Sequence, residues 1–233
     1  MDDNLNFETY LYISPEKFVI LVNSEQNEKM YKNQIFLKNE YQKLNLESLN
    51  SFLNDNIFKI EKKLKKFVKK IFVILDSSEF FPVKISIKRY DYERRINLKD
   101  VSYVLTEARD CCKKTISDRK IVHLIIDNYR IDGEDYSFLP KDKFSNNFSL
   151  DISFFCISEY FIKNIEVILI RYQISINHLV SEKYVRNFLE NDRGDLFLMA
   201  KKIAKGHNPN EAMFINKTLK NRGFFEKFFN FFN

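Results

Sequence analysis

Only four glycines stand in this chain of 233 residues, at Gly133, Gly194, Gly206 and Gly223, and no two of them are neighbours. A loop whose backbone amides cradle a phosphate needs clustered glycines, because a residue without Cβ reaches positive φ and close approach cheaply. The chain has nowhere to build such a loop, which argues against a nucleotide-dependent enzyme. Serine in a nucleophile elbow is also missing. The three histidines (His123, His178 and His207) are far apart, and none stands at metal-ligand spacing with a cysteine or carboxylate. They read as structural residues, and Cys111, Cys112 and Cys156 as reduced packing residues of a cytoplasmic protein. The sequence therefore gives no catalytic residue, no metal and no cofactor, and the expectation is a protein that is not an enzyme.

The chain is long enough for one large or two small domains, and its 24 phenylalanines supply core material. The net charge is +6. Abundant Lys, Asn, Ile and Phe are what A+T-rich codons favour, so this balance is weak evidence for a nucleic-acid partner. The acidic start, Met1-Asp2-Asp3, lacks the basic region of a secretory signal, and no stretch has the roughly 20 apolar residues of a spanning helix.

Periodicity supplies the elements. Thr9 to Ile13 and Phe18 to Val22 read as a hairpin around Ser14, Pro15, Glu16 and Lys17, and Met30 to Leu37 as a third strand. Leu46 to Lys70 carries apolar residues in steps of three and four, including Leu49, Leu53, Ile57, Ile60, Phe67 and Val68, and predicts one long helix. Its lysines from Lys59 to Lys70 form a solvated face, or else a nucleic-acid patch. Ile71 to Leu75 follows as a buried strand. Val83 to Tyr90 alternates as a strand. Asn97 with Asp100 caps a helix to about Lys114. Strands at Ile121 to Ile131 and Leu150 to Ile157 follow, then a helix from Ser158 to Tyr172 and a strand from Ile174 to Leu179. Short helices at Tyr184 to Leu189 and Leu196 to Ala204, and a weak one at Asn210 to Leu219, lead to the end of the chain.

That end is unusual. Projected as a helix, Phe224, Phe225, Phe228, Phe229, Phe231 and Phe232 share an arc of roughly 160°, with Glu226, Lys227 and Asn230 opposite. With Lys220, Arg222 and Lys227 as the cations, this is the pattern of a helix lying in an anionic membrane interface. The alternative is that the Phe face closes onto the core.

Taken in order, these elements resemble the first part of the actin-like bacterial cell-division family FtsA. Ile96 to Val101 through Ile131, Asp132 and Gly133 is similar to the family's helix and following strand, with His123 near that strand's start. Asp151 to Ser175, with Asn164 and Ile165, resembles its next strand and helix. Phe72 to Ser77 resembles the strand that ends its first lobe fragment, and the Phe-rich end its membrane-targeting helix. The resemblance implies an α+β fold: a truncated actin-like half-lobe (1–80), an inserted strand–helix–strand–strand (SHS2-type) subdomain (81–182), short helices and linker (183–222), and an amphipathic helix (223–233). It implies a peripheral-membrane adaptor of cell division on the inner face of the bacterial membrane, with anionic lipid, division proteins and its own copies as partners. Where the family carries a phosphate loop, this chain has Ser14 to Lys17. The second lobe, with its pocket for the FtsZ tail, is missing, so neither ATP nor FtsZ is an expected partner, and no nucleic acid is expected. The actin-like protein of type IV pilus assembly shares the architecture without a comparable Phe-rich helix.

Overall fold

The computed structural model describes residues 6–38, 43–140, 143–188 and 194–213. In chain order its elements are β1 (Phe7–Ile13), β2 (Lys17–Ser24), β3 (Lys29–Phe36), α1 (Leu46–Leu64), β4 (Lys70–Leu75), β5 (Phe81–Arg89), β6 (Arg94–Arg95), α2 (Leu98–Thr115), β7 (Arg119–Ile131), β8 (Glu134–Tyr136), β9 (Phe144–Ser145), β10 (Phe148–Ser158), α3 (Glu159–Ile170), β11 (Ser175–Ser181), α4 (Glu182–Phe188) and α5 (Leu196–Ala204). The fold is mixed α+β. The chain divides into two compact units, 1–80 with 157–205 and 81–156 with 206–233.

The first unit is built on a five-stranded sheet in the order β11-β4-β1-β2-β3. Residues 10–13 and 18–22 are buried without interruption, so β1 and β2 are covered on both faces and read as apolar runs rather than alternations. They form the expected hairpin, with Ile13 opposite Phe18. At the edge, β3 alternates between exposed and half-buried residues. On one face Phe18 meets Phe52 of α1, ring centroids 5.9 Å apart. On the other, Tyr10 packs against Phe72 and against Phe197 of α5, and Phe72 stacks on His178.

Helix α1 is shorter than its sequence suggests. Asn45 caps it by accepting from the Ser48 amide, and Leu49, Leu53, Ile57 and Ile60 form the buried stripe. It stops at Lys65, which takes the left-handed conformation at φ 55 and breaks the 3.6-residue phase. Phe67, assigned by periodicity to the apolar stripe, is 76% exposed, while Val68 is buried from the loop beyond the helix. The expected extension to Lys70 is thus a loop and the first residue of β4.

Strand β4 pairs in parallel with β1 on one edge and β11 on the other. This pairing moves α3 and β11 out of the inserted unit, where the sequence reading had them, and into the first unit. The second unit takes its first segment, 81–156, from between β4 and α3. It holds a four-stranded sheet, β5-β10-β7-β8, and the helix α2, whose Val101, Val104, Leu105, Ala108 and Cys112 join a core with Leu124, Ile126, Leu150, Ile152 and Phe154. The cap is reciprocal: Asn97 accepts from the Asp100 amide at 3.2 Å, and Asp100 accepts from the Asn97 amide at 3.1 Å. Asp132 (φ 51) and Gly133 (φ 88) make the two-residue turn from β7 to β8. Residues 210–212, where a weak helix was expected, instead lie along β7. Ile126 donates to the Asn210 carbonyl and Ala212 to that of Leu124, both at 2.9 Å. The remainder of that expected helix and the Phe-rich end lie outside the described residues.

Asn56 is fully buried on α1 and is the polar bolt between that helix and β3. Its Oδ1 accepts from Tyr31 and from Asn33, both at 2.7 Å, and its Nδ2 donates to the Phe52 carbonyl at 2.6 Å. Asn56→Ala removes all three bonds, and the expected loss is about 1–3 kcal/mol, read as a lower urea midpoint.

Candidate functional site

In open sheets with parallel strands, ligands bind beyond the carboxyl ends of those strands. Here β1, β4 and β11 end side by side, with Leu75 opposite both Ile13 and Ser181. The residues that follow are polar: Ser14, Asp76 and Glu182. The Asp76 amide donates to the Ile13 carbonyl at 2.9 Å, which holds this residue against the hairpin. Glu182 opens α4 and pairs with Arg186 one turn later. Tyr12, buried on β1, completes the cluster.

Its electrostatics are those of crowded anions. Burial raises the Asp76 carboxyl above its ordinary value, and the nearby charges of Glu182 and Glu16 add to this; Arg186 and a hydrogen bond with Tyr12 oppose it. Burial also pushes the Tyr12 phenol up to about 12, with Glu182 and Asp76 contributing. Three carboxylates face the Arg186 guanidinium and the Lys17 ammonium, which lies 5.5 Å from the Tyr12 ring centroid, so the balance of charge here is anionic.

The backbone agrees with the field. Ser14 donates its amide to the Lys17 carbonyl at 3.1 Å, and the Lys17 amide donates to Ser14 Oγ at 3.0 Å. Pro15 has no amide to give. The turn closes on itself where a phosphate loop would present free N–H groups. Among the described residues no group of three His, Cys, Asp or Glu side chains is arranged to hold a metal ion.

Two further polar clusters lie elsewhere. In the first unit, Lys201 of α5 is buried and bonds to Glu8 at 2.6 Å and to Asn27 at 2.9 Å, while Tyr10 donates to the same Glu8 oxygen. Burial alone would raise Glu8, but the Lys201 and Tyr10 hydrogen bonds and the charges of Lys201 and Lys205 hold it below its ordinary value. In the second unit, His123 Nδ1 lies 2.7 Å from Glu211 Oε1, both side chains nearly inaccessible. This pair clips residues 210–212 to β7, a structural use of the histidine.

The residues expected to bind a membrane (Lys220, Arg222, Phe224, Phe225, Lys227, Phe228, Phe229, Phe231 and Phe232) all lie outside the described residues. The lysines from Lys59 to Lys70 face outward, with Lys66 half-buried. Sequence reasoning missed the strand-end cluster and the burial of Lys201. For the first, one signal was present: a polar residue ends each of three apolar runs, but only strand order brings the three together.

No protein-family model matches this chain, and no curated protein matches it. Among solved structures it is similar to the cytoplasmic domain of EpsL, an inner membrane component of the type II secretion system of Vibrio cholerae (12% identity, TM-score 0.37, covering 77% of this chain and 57% of that one). It is also similar to a chain of the PilM–PilN type IV pilus biogenesis complex (7%, 0.47, 78% and 49%). A third is a Bacteroides thetaiotaomicron protein of unknown function with an actin-like ATPase fold (12%, 0.36, 83% and 60%). The chain spans between 49% and 60% of the length of these structures. The sheet order described above, rather than these distant likenesses, defines the fold.

Asp76→Asn tests the strand-end field. With the folded value above the ordinary 3.8, ionised Asp76 costs stability in full at neutral pH. That cost fades as pH falls through the raised value, and vanishes where both states are protonated. The variant should therefore melt higher than the parent at neutral pH, with the gap closing below about pH 4. Melting curves across a pH series give the answer.

Proposed function

We propose that this chain is a non-enzymatic peripheral-membrane adaptor, a reduced actin-like scaffold that holds division proteins at the inner face of the bacterial membrane. The observation that carries the membrane half of this reading is the Phe-rich end: six phenylalanines in eleven residues, on one arc of a helix and preceded by cations. A helix that short is marginal in water and would fold on the bilayer. One such anchor binds weakly and reversibly, and several held in one assembly bind firmly through avidity.

The non-enzymatic half rests on the β1–β2 turn. Its Ser14 and Lys17 amides are consumed within the turn, and the neighbouring field of Asp76, Glu16 and Glu182 is anionic. Division is preferred to pilus assembly because the actin-like pilus protein lacks a comparable terminal helix. The two readings part on the partner recovered from cells.

Co-sedimentation of the full chain with phosphatidylglycerol vesicles tests the anchor. Replacing Phe225, Phe228, Phe229 and Phe232 together by serine should lower binding by roughly tenfold or more. Binding at the parent level would mean that the phenylalanines pack elsewhere. Mg-ATP, in turn, should leave the melting temperature unchanged; a rise that grows with ATP concentration would overturn the non-enzymatic reading.

A further inference from the structure

Beyond Lys65 the chain reaches β4 through Lys66, Phe67, Val68 and Lys69. Val68 turns inward, 1% exposed, and its amide donates to Glu61 at 3.0 Å. The loop is therefore pinned at its middle by one buried side chain and one hydrogen bond. Phe67, the residue before the pin, is left outward, more exposed than any other described phenylalanine. Around it stand Lys65, Lys66, Lys69 and Lys70, lining an open depression of ≈ 580 Å³ with Asn6 and Phe7. A second open depression, at the edge strand β3, is lined by Lys29, Lys32 and Lys63 among others. Among the described residues, no carboxylate lines either one.

A ring held out by a fixed loop within four lysines fits a surface that is apolar inside and anionic outside. We infer that this loop is a lipid-contact site for an anionic bilayer, in which Phe67 enters the headgroup boundary while Lys65, Lys66, Lys69 and Lys70 meet the phosphates. Lysine suits such a place, because its stem can lie along apolar surface while its ammonium group stays hydrated. Single-stranded nucleic acid is the competing occupant, and it fits less well. Such sites stack successive bases on several aromatic platforms, and this depression offers one fully presented ring. Arginine, whose planar fork recognises phosphates and stacks on bases, is absent among the described residues of its lining. The site is independent of the C-terminal phenylalanines: it stands or falls without them.

Vesicle binding of the full chain tests it, using phosphatidylcholine with and without phosphatidylglycerol. Three changes are compared: Lys65, Lys66, Lys69 and Lys70 together to glutamine; Phe67→Ser; and the four-serine change in the C-terminal phenylalanines. The lysine variant should bind anionic vesicles at least about tenfold more weakly, since each cation near such a surface adds to the attraction. Phe67→Ser should weaken binding severalfold at both low and high salt, whereas the lysine contribution should shrink as salt screens it. In the loop, Lys65, Phe67, Lys69 and Lys70 are exposed and Lys66 is half-buried, so for the lysine and Phe67 variants circular dichroism and melting temperature should match the parent. Parent-level binding by the lysine variant overturns the inference, as does equal binding to vesicles without phosphatidylglycerol. A lysine variant that loses a fluorescent single-stranded oligonucleotide yet keeps its vesicles would assign the surface to nucleic acid instead. If the four-serine C-terminal variant binds like the parent while the lysine variant does not, the loop site stands and the C-terminal anchor falls.

Discussion

β4 receives hydrogen bonds along both edges from partners that lie far apart in the chain. On one side it meets β1, which precedes it by a hairpin, an edge strand and a helix. On the other it meets β11, which follows only after the whole of 81–156 has been made. Parallel pairing leaves no short way to join such strands, so α1 and α3 are the crossovers that the geometry demands. The two helices come together at their far ends, where Arg171 and Tyr172 bond to Asn50. The strand-end cluster, the α5 anchor at Lys201 and the loop at Phe67 all take their positions from this one pairing. Loop-closure entropy grows only slowly with length, by about 0.6 kcal/mol per doubling, so a long insertion between β4 and α3 is tolerated. Its cost falls on folding speed, since the last strand must find its place from a great distance.

What could be read from the chain beforehand follows from how local its cause is. The hairpin of β1 and β2, the buried run of β4, the cap at Asn97 and the turn at Asp132 and Gly133 depend on neighbours within a few residues. The end of α1 was not legible, because a lysine rather than a glycine takes the left-handed position at Lys65, and its own sequence continues the helical spacing. The membership of β11 was illegible for a different reason. Ser175 to Ser181 reads as a strand in either unit, and only the unfilled edge of β4 decides. Lys201 had the spacing of a surface residue on a short helix; Glu8 and Asn27, far away in sequence, make its burial affordable. The residues on which the membrane reading first rested were legible as a pattern, and that pattern concerns a segment beyond the described ones.

The strand-end cluster separates what a sheet's topology supplies from what its side chains supply. A sheet of this order brings three strand ends together whether or not they have work to do. In this chain the same corner is filled by carboxylates, a raised phenol and a turn closed on its own amides. The corner has the geometry of an anion site and a balance of charge that opposes an anion.

The short stretch that lies along β7 has a mechanical meaning. Asn210, Glu211 and Ala212 are held by two backbone hydrogen bonds, by the His123–Glu211 contact and by the Asn210 Nδ2 bond to the Ser137 carbonyl. A load applied along these three residues would be shared among those bonds. The unit built on 81–156 is therefore closed by a stretch the chain supplies only after α3, β11, α4 and α5 have been made.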